Sequence, residues 1–160
     1  MNIPAHDSGA ALEVASASPA DTLALGRRIA ALLRPGDVVL LAGRLGAGKT
    51  LMASGIAEGL GVEEPVTSPS FVLVRSYDGL MPVHHADVYR LGSIAEFDDL
   101  DLFGETQDGV LLIEWGNAVA NGVPRDHLLV ELEVAENETR HIRITPHGAF
   151  GERSLAELVA

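Results

Sequence analysis

The sequence predicts a layered α/β domain on a partly parallel sheet. Two short apolar runs, Val38 to Ala42 and Val110 to Ile113, are bounded by turn residues and suit strands buried on both faces. Segments with helical periodicity lie between such runs, the interleaving expected of helices layered on a sheet. Near the C-terminus, Leu128 to Ala135 alternates apolar Val130, Leu132 and Val134 with Glu131 and Glu133, and pairs with Arg140 to Thr145 as a half-exposed hairpin.

Met1 to Ala10 is small and polar and is expected to be a flexible N-terminus, leaving residues 11–160 as a single domain. Leu12 to Ser16 reads as a short strand. Ser18-Pro19-Ala20-Asp21 starts a helix: Ser caps, Pro opens the first turn and Asp suits the positive end of the dipole. Leu25, Ile29, Leu32 and Leu33 give it one apolar stripe, and Pro35-Gly36-Asp37 stops it. A second helix is expected from Lys49 to Leu60, ended by Gly61. Phe71 to Tyr77 and Val83 to Asp87 are strands joined around Asp78-Gly79. Ser93 to Glu96 has capping-box spacing, predicting a helix to about Phe103. A short helix near Ser154 closes the chain.

Composition narrows the function. The chain has 160 residues and a formal charge of −12, which argues against a surface that holds nucleic acid or an anionic membrane by neutralising phosphates. It has no cysteine, so thiol catalysis, disulfides and thiolate-bound metal centres are excluded. No apolar run approaches the ~20 residues of a spanning helix and the N-terminus lacks a signal pattern, so a cytoplasmic protein is expected. Ten of the 11 basic residues are Arg.

The single lysine stands in Gly43-Arg44-Leu45-Gly46-Ala47-Gly48-Lys49-Thr50, which satisfies G-x-x-x-x-G-K-[ST] between an expected buried strand and an expected helix. The glycines let the backbone curl until N–H groups point inward at phosphate oxygens, and the helix adds its N-terminal dipole. Lys49 reaches the outer phosphates and the Thr50 hydroxyl suits Mg²⁺. Nucleotide binding by Gly43, Leu45, Gly46, Ala47, Gly48, Lys49, Thr50 and Leu51 is the expectation.

Such a loop needs a further acid at a neighbouring strand end. Glu114, delivered by Val110 to Ile113, fits as the acid that orients Mg²⁺ or the attacking water, or else is an ordinary strand-end acid in solvent. Trp115 either roofs the site or belongs to the core. In His85-Ala86-Asp87-Val88-Tyr89-Arg90, Asp87 is a second acid for metal or water, or else the partner of Arg90 in an ion pair. Adjacent His84 and His85 point oppositely along a strand, which disfavours joint ligation of a metal. Thr67-Ser68-Pro69-Ser70 offers hydroxyls for sensing a terminal phosphate, or is merely a turn. Glu96, Asp98, Asp99, Asp101, Glu105 and Asp108 form an acidic stretch without a base, either a solvated face or a docking surface for a basic partner.

The phosphate loop, Ser68-Pro69-Ser70-Phe71, His85-x-Asp87-x-Tyr89-Arg90-Leu91 and Glu114-Trp115, in that order, resemble the TsaE family, P-loop ATPases of bacterial tRNA threonylcarbamoyladenosine synthesis. The likeness spans about residues 12 to 145. Arg44 stands where the family usually has Asp, Leu51 where a second Thr is common, and Ser70 where Thr is usual. The resemblance implies a three-layer P-loop NTPase-like sandwich with a mixed sheet, ATP and Mg²⁺ as cofactors, slow ATP hydrolysis, and association with TsaB and TsaD. It also implies that Lys49, Asp87 and Glu114 carry catalysis, with Thr50 and Glu114 holding the metal. A −12 protein in a tRNA pathway is expected to act on a protein partner rather than to grip tRNA. The alternatives are a small-molecule P-loop kinase, which would need an Arg-rich lid, and a non-catalytic nucleotide-dependent adaptor.

Overall fold

A computed structural model describes residues 10–69, 74–88, 101–115 and 124–159. Seven strands form one sheet in the order β1-β7-β6-β2-β5-β4-β3. These are β1 (Leu12–Ser16), β2 (Val38–Gly43), β3 (Val74–Asp78), β4 (Pro82–Asp87), β5 (Val110–Trp115), β6 (His127–Val134) and β7 (Arg140–His147). β2 runs parallel to both β5 and β6, and β4 is parallel to β5. Antiparallel pairs close both ends, β3 on β4 and β1 and β6 on β7. The expected mixed, partly parallel sheet is therefore present.

Helices cover both faces. α1 (Pro19–Ala30) and α2 (Lys49–Gly59) pack on the face presented by Val39, Leu41, Val83, Leu112 and Val130. The short α3 (Leu102–Glu105) brings Leu102 and Phe103 to the opposite face, against Leu40, Ala86, Leu111 and Ile113. Three layers result, because each parallel strand is apolar on both sides. α1 starts as its sequence dictates, with the Ser18 side chain accepting from the Asp21 amide at 3.2 Å and Pro19 in the first turn. Leu25, Ile29 and Leu33 of its stripe are buried and Leu32 is partly so. The chain closes with 3₁₀ turns at Gly148–Glu152 and Ala156–Val159. Among the described residues, no helix is long and apolar enough to cross a membrane.

Two expectations need correction. The C-terminal hairpin alternates as expected over Val130 to Glu133 and over His141 to Ile144, but Leu128 and Leu129 are both buried, and Val134, expected inside, is 44% exposed. A helix cannot run unbroken to Phe103, since Asp101 sits in the left-handed region at φ 45° and α3 starts after it. The capping box Ser93 to Glu96, the Phe71 end of β3 and the N-terminal Met1 to Asn2 stretch lie outside the described residues, as does the remainder of that terminus to Gly9.

Candidate functional site

β2 ends at Gly43, where the chain turns to enter α2. This edge lies at the carboxyl ends of the parallel strands, with β5 on one side of β2 and its successor β6 on the other, and crevices form in α/β sheets where the strand order switches sides. Gly46 and Gly48 adopt φ of 82° and 107°, a region other residues reach only with strain. Gly43 is needed for another reason: a Cβ there would lie 2.7 Å from the Leu132 carbonyl oxygen of β6. Gly48 precedes Lys49, the first residue of α2, and no described side chain caps that helix, so its first-turn amides face the loop. Lys49 is 7% exposed and its Nζ donates to the Gly43 carbonyl at 2.7 Å. Leu45 stands at the apex, 91% exposed, and so offers its backbone rather than its side chain to the loop.

The acids reach the same place from β4 and β5. Residues alternate across a strand, so Leu112 and Glu114 of β5 share the α1–α2 face, as do Val83, His85 and Asp87 of β4. Asp87 and Glu114 are directly opposite one another in the parallel register. Glu114 is 5% exposed, and the Thr50 hydroxyl donates to it, 3.0 Å from Oε1 and 3.1 Å from Oε2. Lys49, Thr50, Asp87 and Glu114 are thus gathered around one strand edge, although 64 residues separate Thr50 from Glu114.

Two further residues belong to this site: His85, named in the sequence motif but given no role of its own, and Arg140, which the sequence did not mark. His85 is fully buried, with Nε2 2.7 Å from Glu114 Oε2. The same period-2 reasoning that separates His84 from His85 puts His85 beside Asp87, and that signal was available. Arg140, at the start of β7, reaches across to the loop: its Nε donates to the Ala47 carbonyl at 3.2 Å and a terminal nitrogen to that of Gly46 at 3.4 Å. Nothing local marks it, since it lies 93 residues from Ala47.

His84 points to the other face, with Nδ1 2.7 Å from Ser76 Oγ and Nε2 2.9 Å from Asp108 Oδ1. The two imidazoles therefore do not converge on a metal. The Thr67 amide donates to the Tyr77 hydroxyl at 3.4 Å, tying the start of the Thr67–Phe71 segment to β3. Ser70, Phe71, Tyr89, Arg90, Leu91 and the Trp115 side chain lie outside the described residues, as do Glu96, Asp98 and Asp99 of the acidic stretch. A cleft of about 920 Å³ flanks the loop, bounded by Gly43, Arg44 and Ala47 and by Glu131, Glu133 and His141. It includes neither Glu114 nor Asp87.

The family model described as threonylcarbamoyl adenosine biosynthesis protein TsaE matches residues 16–142. A Streptomyces coelicolor protein named tRNA threonylcarbamoyladenosine biosynthesis protein TsaE is 44% identical over 137 residues, 81% of this chain and 90% of that protein. A Bacillus subtilis protein of the same name is 39% identical over 142 residues, 88% of this chain and 89% of its own length. The crystal structure of Bacillus subtilis YdiB superposes with a TM-score of 0.78 at 34% identity, covering 94% of this chain and 95% of that one.

Proposed function

The chain belongs to the TsaE family, and from that premise we propose that it is a Mg²⁺-dependent ATPase of tRNA threonylcarbamoyladenosine biosynthesis, working in the cytoplasm on a TsaB–TsaD pair through its nucleotide state. The observation that carries the reading is the Thr50 hydroxyl, 3.0 Å from Glu114 at the mouth of a glycine loop that ends in Lys49. Hydroxyl and carboxylate together form an oxygen donor set of the kind a hard divalent cation takes alongside phosphate oxygens. The residues present therefore fit Mg·ATP.

Lys49 would hold the outer phosphates, exchanging its hydrogen bond to the Gly43 carbonyl for charge-assisted ones. The backbone from Gly43 to Leu51 would cradle the phosphates with inward N–H groups. Thr50 and Glu114 would hold Mg²⁺, which neutralises charge on the phosphate oxygens. Asp87, directly opposite Glu114, would orient water and hold its proton. Catalysis of this kind also needs cationic compensation for the γ-phosphate. Arg44 lies in the loop itself, Arg75 is exposed on β3 opposite His85, and Arg90 lies outside the described residues. Slow turnover, raised by the partner, follows from this reading.

Calorimetry with Mg·ATP tests it. The wild type is expected to bind, while Lys49→Ala loses about 2 kcal/mol, or roughly 30-fold in affinity. Glu114→Gln is expected to keep most of the binding and lose hydrolysis. No heat of binding with any nucleoside triphosphate would overturn the proposal. Undiminished tRNA modification by a hydrolysis-dead Glu114→Gln protein would leave the adaptor reading in its place.

A further inference from the structure

We propose that His85 is a positioning residue, holding the Glu114 carboxylate in the one orientation that serves Thr50 and a divalent cation. The inference rests on the reading of this loop as a Mg²⁺-nucleotide site. His85 Nε2 lies 2.7 Å from Glu114 Oε2, and the Thr50 hydroxyl spans both carboxylate oxygens at 3.0 and 3.1 Å. A carboxylate held by one donor can rotate about its last side-chain torsion; one held from two directions cannot. The free lone pairs of Glu114 are thereby aimed before any cation arrives, as is usual where an outer donor orients a metal-binding group.

The surroundings argue against a purely structural role. His85 is 0% exposed on a strand whose buried neighbours on that face include Val83 and, across the register, Leu112. Its Nδ1 has no hydrogen-bond partner among the described residues. A buried imidazole with one nitrogen unsatisfied is a poor core residue, and an aliphatic side chain of similar size would pack there without a polar atom to desolvate. What an aliphatic side chain cannot supply is the Nε2–H directed at Glu114.

The test compares His85→Leu, which fills the space without a donor, with His85→Gln, whose amide can reach Glu114, and His85→Asn, whose amide is one bond shorter. Affinity for a fluorescent ATP analogue is titrated in EDTA and at increasing Mg²⁺, alongside the thermal midpoint and kcat for ATP. In His85→Leu the EDTA affinity is expected to stay within twofold of wild type. The Mg²⁺ needed for half-maximal enhancement should rise at least tenfold, the usual scale for losing an outer-sphere donor, without a fall in the thermal midpoint. Gln should restore most of the Mg²⁺ response and Asn should not. A wild-type Mg²⁺ response in His85→Leu would overturn the proposal. Should the leucine protein not fold, equal Mg²⁺ responses from Gln and Asn would overturn it equally. Wild-type protein that binds no nucleotide refutes the reading of the site itself, a result distinct from any of these.

Discussion

Arg140 holds the phosphate loop from outside. It takes the carbonyls of Gly46 and Ala47, and another of its nitrogens donates to the Glu138 carbonyl at 2.7 Å. In a planar trans peptide the N–H points opposite the C=O, so drawing the Ala47 carbonyl toward Arg140 turns the Gly48 amide toward the interior of the loop. Under the proposed function, the arginine would contribute to nucleotide affinity without having to touch the nucleotide. Arg140→Gln is expected to lower affinity by about 1 kcal/mol, roughly fivefold, with a thermal midpoint close to wild type. Calorimetry with ATP checks this; unchanged affinity would mean that the loop keeps its shape unaided.

At the scale of elements, the placement of α2 depends on how closely α1 can approach it. A Cβ on Gly55 would lie 2.6 Å from the Leu23 carbonyl oxygen, and one on Gly59 would lie 2.5 Å from the Ala30 Cβ. From the other helix, a Cβ on Gly26 would meet Gly55 backbone at 2.9 Å. Backbone meets backbone here, so neither helix can yield by a rotamer change. Gly55→Val should therefore push the helices apart and destabilise the protein by about 1–3 kcal/mol, read as a lower urea midpoint. Because α2 begins at Lys49, the same displacement should weaken nucleotide binding as well. A stable variant with intact binding would show that the interface has slack.

Across the whole molecule, the end of the sheet remote from the phosphate loop carries a pH dependence. His127 and His147 face each other in register at the start of β6 and the end of β7, their rings stacked with centroids 4.5 Å apart. Burial lowers the pKa of His127 from 6.5, against the opposing effects of the Pro124 and Arg125 carbonyls and the Asp126 charge. Below pH 6.5 the unfolded chain takes up a proton that the folded one resists, so stability is lost as pH falls through that window. Thermal melts should show a midpoint declining between pH 7.5 and 5.5, with this group contributing at most about 1.4 kcal/mol per pH unit. His127→Phe, which can still stack on His147, should flatten the decline. An equally steep decline in that variant would assign it to other groups. Nearby, Arg153 ties the C-terminal turns to the α1–β2 connection through a two-point pair with Asp37, at 2.5 and 3.0 Å, and a bond to the Leu32 carbonyl at 2.9 Å.

What the sequence determined was whatever contiguous residues encode. Ser18-Pro19 sets where α1 begins, the run from Val38 makes a doubly buried strand, and the glycines of residues 43 to 48 shape a loop that only such residues can follow. Glu114 and Asp87 could be picked out because each ends a legible strand. Tertiary structure alone decided that those strand ends lie side by side, that His85 grips Glu114 from 29 residues away, and that Arg140 braces the loop. It also decided that β6 is buried at one end and exposed at the other. The physical reason is that turns and caps are set by neighbouring dihedral angles, whereas strand order and register are chosen by burial summed over the whole sheet, which no short segment contains.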